Sequence, residues 1–269
     1  MAGLIAAHGR GPLTGALGVA PRAKILPIRD GRAAGQANSD ALADGIEWAI
    51  EHGASIISVA SVGGPSGRLR DAIAEAAAAD VVVVAAAGNR PTDLVVSFPG
   101  ALEGVVAVGA TDRNGNHADI SVTGKQVAIS APGVDIYSTS IDGKYSKATG
   151  TSASTAIVAG AVALVRSKYP ELSAREVVHR LTATATDKGP PGRDEQYGYG
   201  VLDLVAALTA TVPPLGSATV TPSTSTSAAA APPDGPGGGR STGVWVAVLA
   251  AALAVGVTTV FFAVRRRRR

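Results

Sequence analysis

Two kinds of segment alternate along this chain, distinguished by the spacing of their hydrophobic and polar positions. Helical spacing of apolar residues predicts helices over Ser39–His52, Arg68–Asp80 and from Ser152 to about Lys168. Between them lie short runs that are apolar at nearly every position, and Val81–Ala86 begins with consecutive valines. Strands that are apolar throughout are typical of a parallel sheet covered by helices on both faces. The pattern therefore predicts an α/β fold of three layers, αβα, with a mostly parallel sheet.

Other segments fit the same scheme. The remaining predicted strands are Ala23–Ile28, Ala54–Ala60, Gly104–Ala110 and Gln126–Ala131. Residues 1–9 are predicted to be the end of a helix, and two further helices are predicted over Ser173–Thr184 and Leu202–Thr211. Ser39 or Asp40 is the expected N-cap of the helix over 39–52, and Gly53 is its expected stop.

The composition changes sharply after residue 211, which ends the predicted globular domain of residues 1–211. Val212–Thr242 is rich in Pro, Ser, Thr, Ala and Gly and predicts a flexible linker. Gly243–Val264 contains no charged residue and ends against Arg265–Arg269. About 20 apolar residues cross a bilayer core, so we expect a transmembrane helix there and a basic cytoplasmic tail after it. A buried core helix is the alternative, but such a helix would not follow a linker at the end of a chain.

Charge and composition exclude several classes of function. The net charge is +3, and without the five C-terminal arginines it is 3 − 5 = −2, so the basic character belongs to the tail and indicates no nucleic-acid partner. The absence of Cys excludes disulfides, thiol catalysis and Cys-bound zinc. No His, Asp or Glu cluster has ligand spacing, so we predict neither a metal site nor a cofactor. The N-terminus lacks the basic start and long apolar run of a secretory signal.

The segment Gly150-Thr151-Ser152-Ala153-Ser154 opens a predicted helix. A serine at that position meets free backbone N–H groups and the positive end of the helix dipole, which suit a nucleophile and its developing oxyanion. A serine that only caps the helix is the alternative.

Polar or glycine-rich segments follow two of the predicted strands. Val81–Ala87 runs into Gly88-Asn89, which places Asn89 at the carboxyl edge of the sheet, where ligands bind in open α/β folds. Its amide could donate to an oxyanion. Ser61-Val62-Gly63-Gly64 follows strand Ala54–Ala60, and its glycines allow an extended peptide to approach. An ordinary turn is the alternative for each segment.

Taken together and in this order, these motifs resemble the subtilisin-like serine proteases, the subtilases, from Met1 to about Ala210. The resemblance implies a subtilisin-like fold that lacks its N-terminal part, Ser152 as nucleophile and Asn89 as oxyanion donor. It also implies that Ser61, Val62, Gly63, Gly64, Ala87 and Gly88 bind a polypeptide substrate. Three further segments resemble scaffold motifs of the family: Phe98-Pro99-Gly100, Ala131-Pro132-Gly133 and Gly198-Tyr199-Gly200-Val201-Leu202-Asp203.

Several segments are similar to those of mycosins, the subtilases associated with type VII secretion. They are the linker, the membrane segment, the Arg tail, Ala2–Ala7 and Gly18-Val19-Ala20-Pro21. This resemblance implies a single-pass protein of the cell membrane whose globular domain is extracellular. Its partners would be a polypeptide substrate, the membrane and the type VII secretion machinery.

The chain departs from the family at its start. The family motif H-G-T-x-V-A-G would place Met1 at the valine, so the histidine and aspartate would lie upstream. A GTG codon misread as a start site would explain this, and the upstream DNA tests that hypothesis. None of His8, His52, His117 and His179 is expected to replace the missing base. We therefore expect negligible peptidase turnover from this polypeptide, which could instead be a non-catalytic membrane subunit of a secretion complex.

Two other points separate this chain from related patterns. Thr155-Ala156 stands where the family usually has a proline, a change expected to affect only local packing. An α/β-hydrolase esterase would need G-x-S-x-G, but the fifth residue here is Ser154. Subtilases often bind calcium, and no site for it can be assigned from these residues.

Overall fold

Four parallel strands form the central sheet of the computed structural model, which describes residues 1–11, 14–29 and 38–216. All of these residues belong to one unit, Met1–Thr219. The strands are β1 (Ile56–Val59), β2 (Val82–Ala86), β3 (Val105–Thr111) and β4 (Val127–Pro132), and they lie side by side in that order. The helices are α1 (Ala2–Ala6), α2 (Ser39–Glu51), α3 (Gly67–Ala78), α4 (Thr151–Lys168), α5 (Ala174–Ala183) and α6 (Leu204–Thr209).

The two faces of the sheet are covered by different helices, as the apolar strands predict. Successive side chains of a strand point to opposite faces. Val82 and Val84 pack in the cluster that contains α4, whereas Val81 and Val83 pack in the cluster that contains α2 and α3. Every residue of β2 is consequently buried. The α/β fold with a parallel sheet is confirmed.

The cap of α2 differs from the prediction. Asn38, rather than Ser39 or Asp40, is the N-cap, and its side-chain oxygen accepts a hydrogen bond from the Asp40 N–H at 3.0 Å. Ser39 already lies inside the helix, whereas a cap residue needs the extended backbone that Asn38 has. Gly53 follows the helix with a φ of +75°, the left-handed conformation expected of a stop.

The predicted strand Ala23–Ile28 is wrong. This segment has no regular secondary structure, and it is not part of either sheet in the part of the chain that is described. A strand is stabilised by its ladder of hydrogen bonds to a neighbour, and Pro27 has no N–H to contribute. Ile25, Leu26 and Ile28 are accordingly exposed.

A hairpin that the sequence pattern did not indicate connects the sheet to α4. Its strands are β5 (Ile136–Thr139) and β6 (Tyr145–Ala148), which pair in antiparallel fashion around a short 3-10 turn over Ile141–Gly143. All four residues of β6 are exposed. The segment therefore lacks the apolar run from which the other strands were predicted.

The predicted C-terminal segments fall almost wholly beyond the described residues. Only residues 212–216 of the linker are described, while Gly243–Val264 and Arg265–Arg269 lie outside. Across residues 1–11, 14–29 and 38–216, no helix is both long and apolar enough to cross a membrane. The division into linker, membrane segment and tail stays a prediction.

Candidate active site

Ser152 is the second residue of α4, next to the end of strand β1. Gly150 is the N-cap of this helix, so Ser152 does not cap it. A residue in the first turn of a helix has a backbone N–H that no helical carbonyl accepts, which leaves the Ser152 N–H available to a ligand. The Ser152 hydroxyl donates a hydrogen bond of 2.8 Å to the carbonyl oxygen of Ala60.

Asn89 lies beyond the carboxyl end of β2 and contacts the residue that precedes Ser152. The backbone N–H of Thr151 donates to Asn89 Oδ1 at 2.9 Å, and the Thr151 hydroxyl lies 3.2 Å from the same oxygen. Because the amide oxygen faces Thr151, the amide NH₂ is directed away from it and keeps its hydrogens for another acceptor. The structure thus brings Asn89 and the start of α4 together, as an oxyanion site requires.

The loop that presents Asn89 depends on Gly88 and Thr151. Gly88 has a φ of +117°, a conformation that glycine adopts without the steric cost of a side chain. Its N–H donates to the Thr151 hydroxyl at 3.3 Å, and its carbonyl accepts from the Val122 N–H at 3.2 Å. Ala87, just before it, is fully buried.

Ser61–Gly64 continues from β1 on the other side of the Ser152 hydroxyl. The Gly63 N–H donates to the Phe98 carbonyl at 2.9 Å, while the Ser97 N–H donates to the Ala87 carbonyl at 3.0 Å. Residues 97–98 therefore link the segment Ser61–Gly64 to Ala87 through backbone hydrogen bonds. A Cβ added at Gly64 would meet no atom within 4 Å, so the backbone there faces open space. The roles of Ser61, Val62, Gly63, Gly64, Ala87 and Gly88 in substrate binding stay predictions, but all six lie around one edge of the sheet.

Thr151 is the residue of this site whose importance the motif alone did not reveal. It is completely buried, and its backbone and hydroxyl both hold the Asn89 loop. A hydroxyl residue directly before the serine was visible in the sequence, but its partners lie 62 and 63 positions away.

None of the four histidines, all of which are described, forms a hydrogen bond with the Ser152 hydroxyl, which donates to Ala60. Their partners include Leu17 for the backbone of His8, Trp48 for His52, Tyr197 for His117 and Pro213 for His179. Burial, followed by the nearby charge of Arg90, lowers the pKa of His117 below its ordinary value. Within the described residues, no three His, Asp or Glu side chains are grouped closely enough to hold a metal ion.

Comparisons with known proteins place this chain in a family. The profile described as "Subtilase family" matches residues 1–200. Subtilisin DY from Bacillus licheniformis is 42% identical over 199 residues, which cover 72% of this chain and 71% of that protein. Subtilisin E from Bacillus subtilis (strain 168) is 36% identical over 198 residues, covering 72% of this chain but only 51% of that protein.

Solved structures give the same result. The crystal structure of MycP1 with its N-terminal propeptide removed has a TM-score of 0.70 and 30% identity, covering 79% of this chain and 78% of that one. Fervidolysin from Fervidobacterium pennivorans, a keratinolytic enzyme related to subtilisin, has a TM-score of 0.72 and 32% identity, covering 79% of this chain and 36% of that one. The α/β fold is therefore subtilisin-like.

Proposed function

Because the chain belongs to the subtilase family of serine proteases, we propose that it carries the nucleophile and oxyanion site of a serine endopeptidase. The observation that supports this most directly is the pair of contacts from Thr151 to Asn89 Oδ1, at 2.9 and 3.2 Å. These contacts hold the Asn89 amide beside the helix start that carries Ser152.

The proposed reaction uses these groups in sequence. An extended polypeptide binds along Ser61–Gly64, and Ser152 Oγ attacks the carbonyl carbon of the scissile bond. The Ser152 N–H and the Asn89 amide NH₂ donate to the oxyanion that forms, a site where one donor is worth roughly 3–4 kcal/mol. Loss of the amine leaves an acyl-enzyme on Ser152, which water then hydrolyses.

A general base must take the proton from Ser152 during the attack. In this structure the Ser152 hydroxyl donates to the Ala60 carbonyl instead. We assign the base and the carboxylate that orients it to a segment encoded ahead of Met1. On this proposal the 269-residue chain alone has negligible peptidase turnover.

We further propose that the protein is a mycosin-type subtilase, anchored in the cell membrane by Gly243–Val264 and associated with type VII secretion. Structural similarity to MycP1 supports the subgroup. The uncharged segment Gly243–Val264 followed by Arg265–Arg269 supports an anchor with its basic end in the cytoplasm and the globular domain outside.

A second candidate is a non-catalytic membrane subunit of a secretion complex. The contacts of the four histidines and the hydrogen bond from Ser152 to Ala60 favour it for this polypeptide taken by itself.

Labelling with a fluorophosphonate probe separates the two functions, since the probe reacts with a serine activated by a base. The 269-residue chain is compared with a chain extended upstream in frame, each with a Ser152→Ala control. We expect labelling of the extended chain at Ser152 and none of the shorter one. An extended chain that contains the H-G-T triplet and yet stays unlabelled would reject the peptidase.

Membrane attachment is tested separately. The full chain and a chain ending at Thr242 are expressed and fractionated, and the full chain is expected to remain with membranes after a high-salt wash. Recovery of both chains in the supernatant would show that Gly243–Val264 is not an anchor.

A further inference from the structure

Asn89 is held by three sets of contacts, and only one of them involves Thr151. Thr151 fixes the side-chain amide, a bridge to Ser121 holds the residues on either side of Asn89, and Asp93 bonds the N–H and the carbonyl of Asn89 itself. One carboxylate oxygen of Asp93, Oδ2, accepts the Asn89 N–H at 2.7 Å, and the Asp93 N–H donates to the Asn89 carbonyl at 2.9 Å. These reciprocal bonds close a loop of residues 89–93.

The other carboxylate oxygen of Asp93 joins this loop to Ser97. The Ser97 hydroxyl donates to Asp93 Oδ1 at 3.3 Å, and the Ser97 N–H donates to the Ala87 carbonyl. The carboxylate therefore connects Asn89 to a residue that is itself bonded to the end of the buried strand. A carboxylate that accepts a backbone N–H makes a stronger hydrogen bond than a neutral acceptor does.

Packing also places Asp93 against the glycine that precedes Asn89. A Cβ built at Gly88 would lie 3.0 Å from Asp93 Cβ and 3.1 Å from its Oδ2. Any side chain at position 88 would displace the carboxylate, so the glycine and the aspartate depend on each other. Asp93 thus adds to the hold on the Asn89 backbone, whereas Thr151 orients the side-chain amide.

We propose that Asp93 is a positioning residue for oxyanion stabilisation, which acts through Asn89 and does not itself touch the substrate. This inference rests on the proposed function of Asn89. An oxyanion donor acts only when it is held in place before the charge develops, so a loop that is free to shift should weaken the transition state more than substrate binding.

The test uses the residual hydrolysis that an oxyanion site supports without a complete triad, which is about 10³–10⁴-fold over water. The substrate is a peptide p-nitrophenyl ester, and kcat and KM are measured at high protein concentration against a buffer blank. Asp93→Ala is expected to lower kcat about tenfold, less than loss of the donor itself in Asn89→Ala, with KM changed by less than about twofold. Asp93→Asn keeps an acceptor for the Asn89 N–H and is expected to retain kcat within about threefold.

Asp71→Ala is the matched control, because Asp71 is an exposed aspartate within α3 and belongs to none of the segments that form the site. It should keep the wild-type rate. If Asp93→Ala does not unfold cooperatively on heating, Asp93→Glu takes its place. Its longer side chain keeps the charge but displaces the carboxylate, so a severalfold fall in kcat is expected.

The outcomes separate a failure of the oxyanion site from a failure of the role of Asp93. A wild-type rate equal to the buffer blank, or equal to that of Asn89→Ala, rejects the oxyanion site and with it the proposed function. A wild-type rate above both, combined with an unchanged kcat in Asp93→Ala or Asp93→Glu, rejects only the role of Asp93. A rise in KM with unchanged kcat, or an equal loss in Asp71→Ala, rejects it as well.

Discussion

Replacing Thr151 by valine tests how α4 is joined to the Asn89 loop. Valine has the branched shape of threonine but lacks the hydroxyl, so the helix start and the packing are preserved. In the native protein that hydroxyl lies 3.3 Å from both the N–H and the carbonyl oxygen of Gly88 and 3.2 Å from Asn89 Oδ1. The substitution leaves the Gly88 N–H without its acceptor in a fully buried place.

The size of the effect follows from that orphaned donor. A buried polar group that loses its partner costs about 1–3 kcal/mol in unfolding free energy. The bonds here are longer than the usual 2.9–3.0 Å for N–H···O, which favours the lower half of that range. We expect Thr151→Val to lower the unfolding free energy by about 1–2 kcal/mol.

Thr155→Val is the matched control on the same helix. Thr155 is equally buried, and its hydroxyl donates to the Thr151 carbonyl at 2.8 Å. That carbonyl is within reach of the Thr155 backbone N–H in the ordinary helical pattern, so removing the hydroxyl leaves no unpaired group. The expected cost is about 0–1 kcal/mol.

Urea unfolding, followed by circular dichroism, measures both variants against the parent chain. The same samples are assayed for residual ester hydrolysis, where Thr151→Val should lose about tenfold in kcat, because the Asn89 amide keeps only its bond from the Thr151 backbone N–H and loses the one from the hydroxyl. Equal stability and equal kcat in the two valine variants would show that the Thr151 hydroxyl does not organise the site.

Three further predictions concern packing and charge. Gly133→Ala should lower the unfolding free energy by about 1–3 kcal/mol in a denaturant melt, because the alanine Cβ would lie 2.4 Å from Ser154 Oγ. An unchanged midpoint would contradict this. Arg180→Met should lower the unfolding free energy by about 2–4 kcal/mol, since the buried guanidinium donates to two carbonyls at the end of α6. Arg175 is exposed on α5, the helix that also carries Arg180, and Arg175→Met should cost less than about 0.5 kcal/mol. The folded pKa of His117 is lowered mainly by burial, so the unfolded state binds a proton at this histidine more readily than the folded state does. The contribution of neutral His117 to the unfolding free energy is complete above about pH 6.5, and it is lost as the pH falls from there through the folded pKa. His117→Gln should therefore flatten the decline of stability between pH 7.5 and 5, and identical slopes in the two chains would refute that assignment.

The helices and buried strands could be predicted because their signals are local. The valines of β2 are apolar on both faces, and that pattern has few structural solutions besides a covered parallel sheet. The hairpin of β5 and β6 has no such pattern, since exposed residues dominate it. Its strands exist because each provides the other with hydrogen-bond partners. Ala23–Ile28 shows the converse: an apolar run with no neighbouring strand is not a strand.

Some residues of the candidate site could likewise be predicted from the sequence and others could not. Ser152 and Asn89 could be singled out because each follows a recognisable element, a helix start and the end of a buried strand. The role of Thr151 could not, because its partners are far away along the chain. The role of Asp93 could not either, because its hydrogen bonds lie within an irregular loop that has no periodic pattern.

The sequence by itself determined the layers of this protein, the helix whose first turn carries Ser152 and the strand that ends before Asn89, since hydrophobic periodicity acts over a few neighbouring residues. Only the tertiary structure decided that Thr151 meets Asn89 across 62 positions and that Asp93 holds its backbone. The contact of Thr151 depends on how the sheet and α4 pack, and the contact of Asp93 depends on the conformation of an irregular loop; hydrophobic periodicity encodes neither.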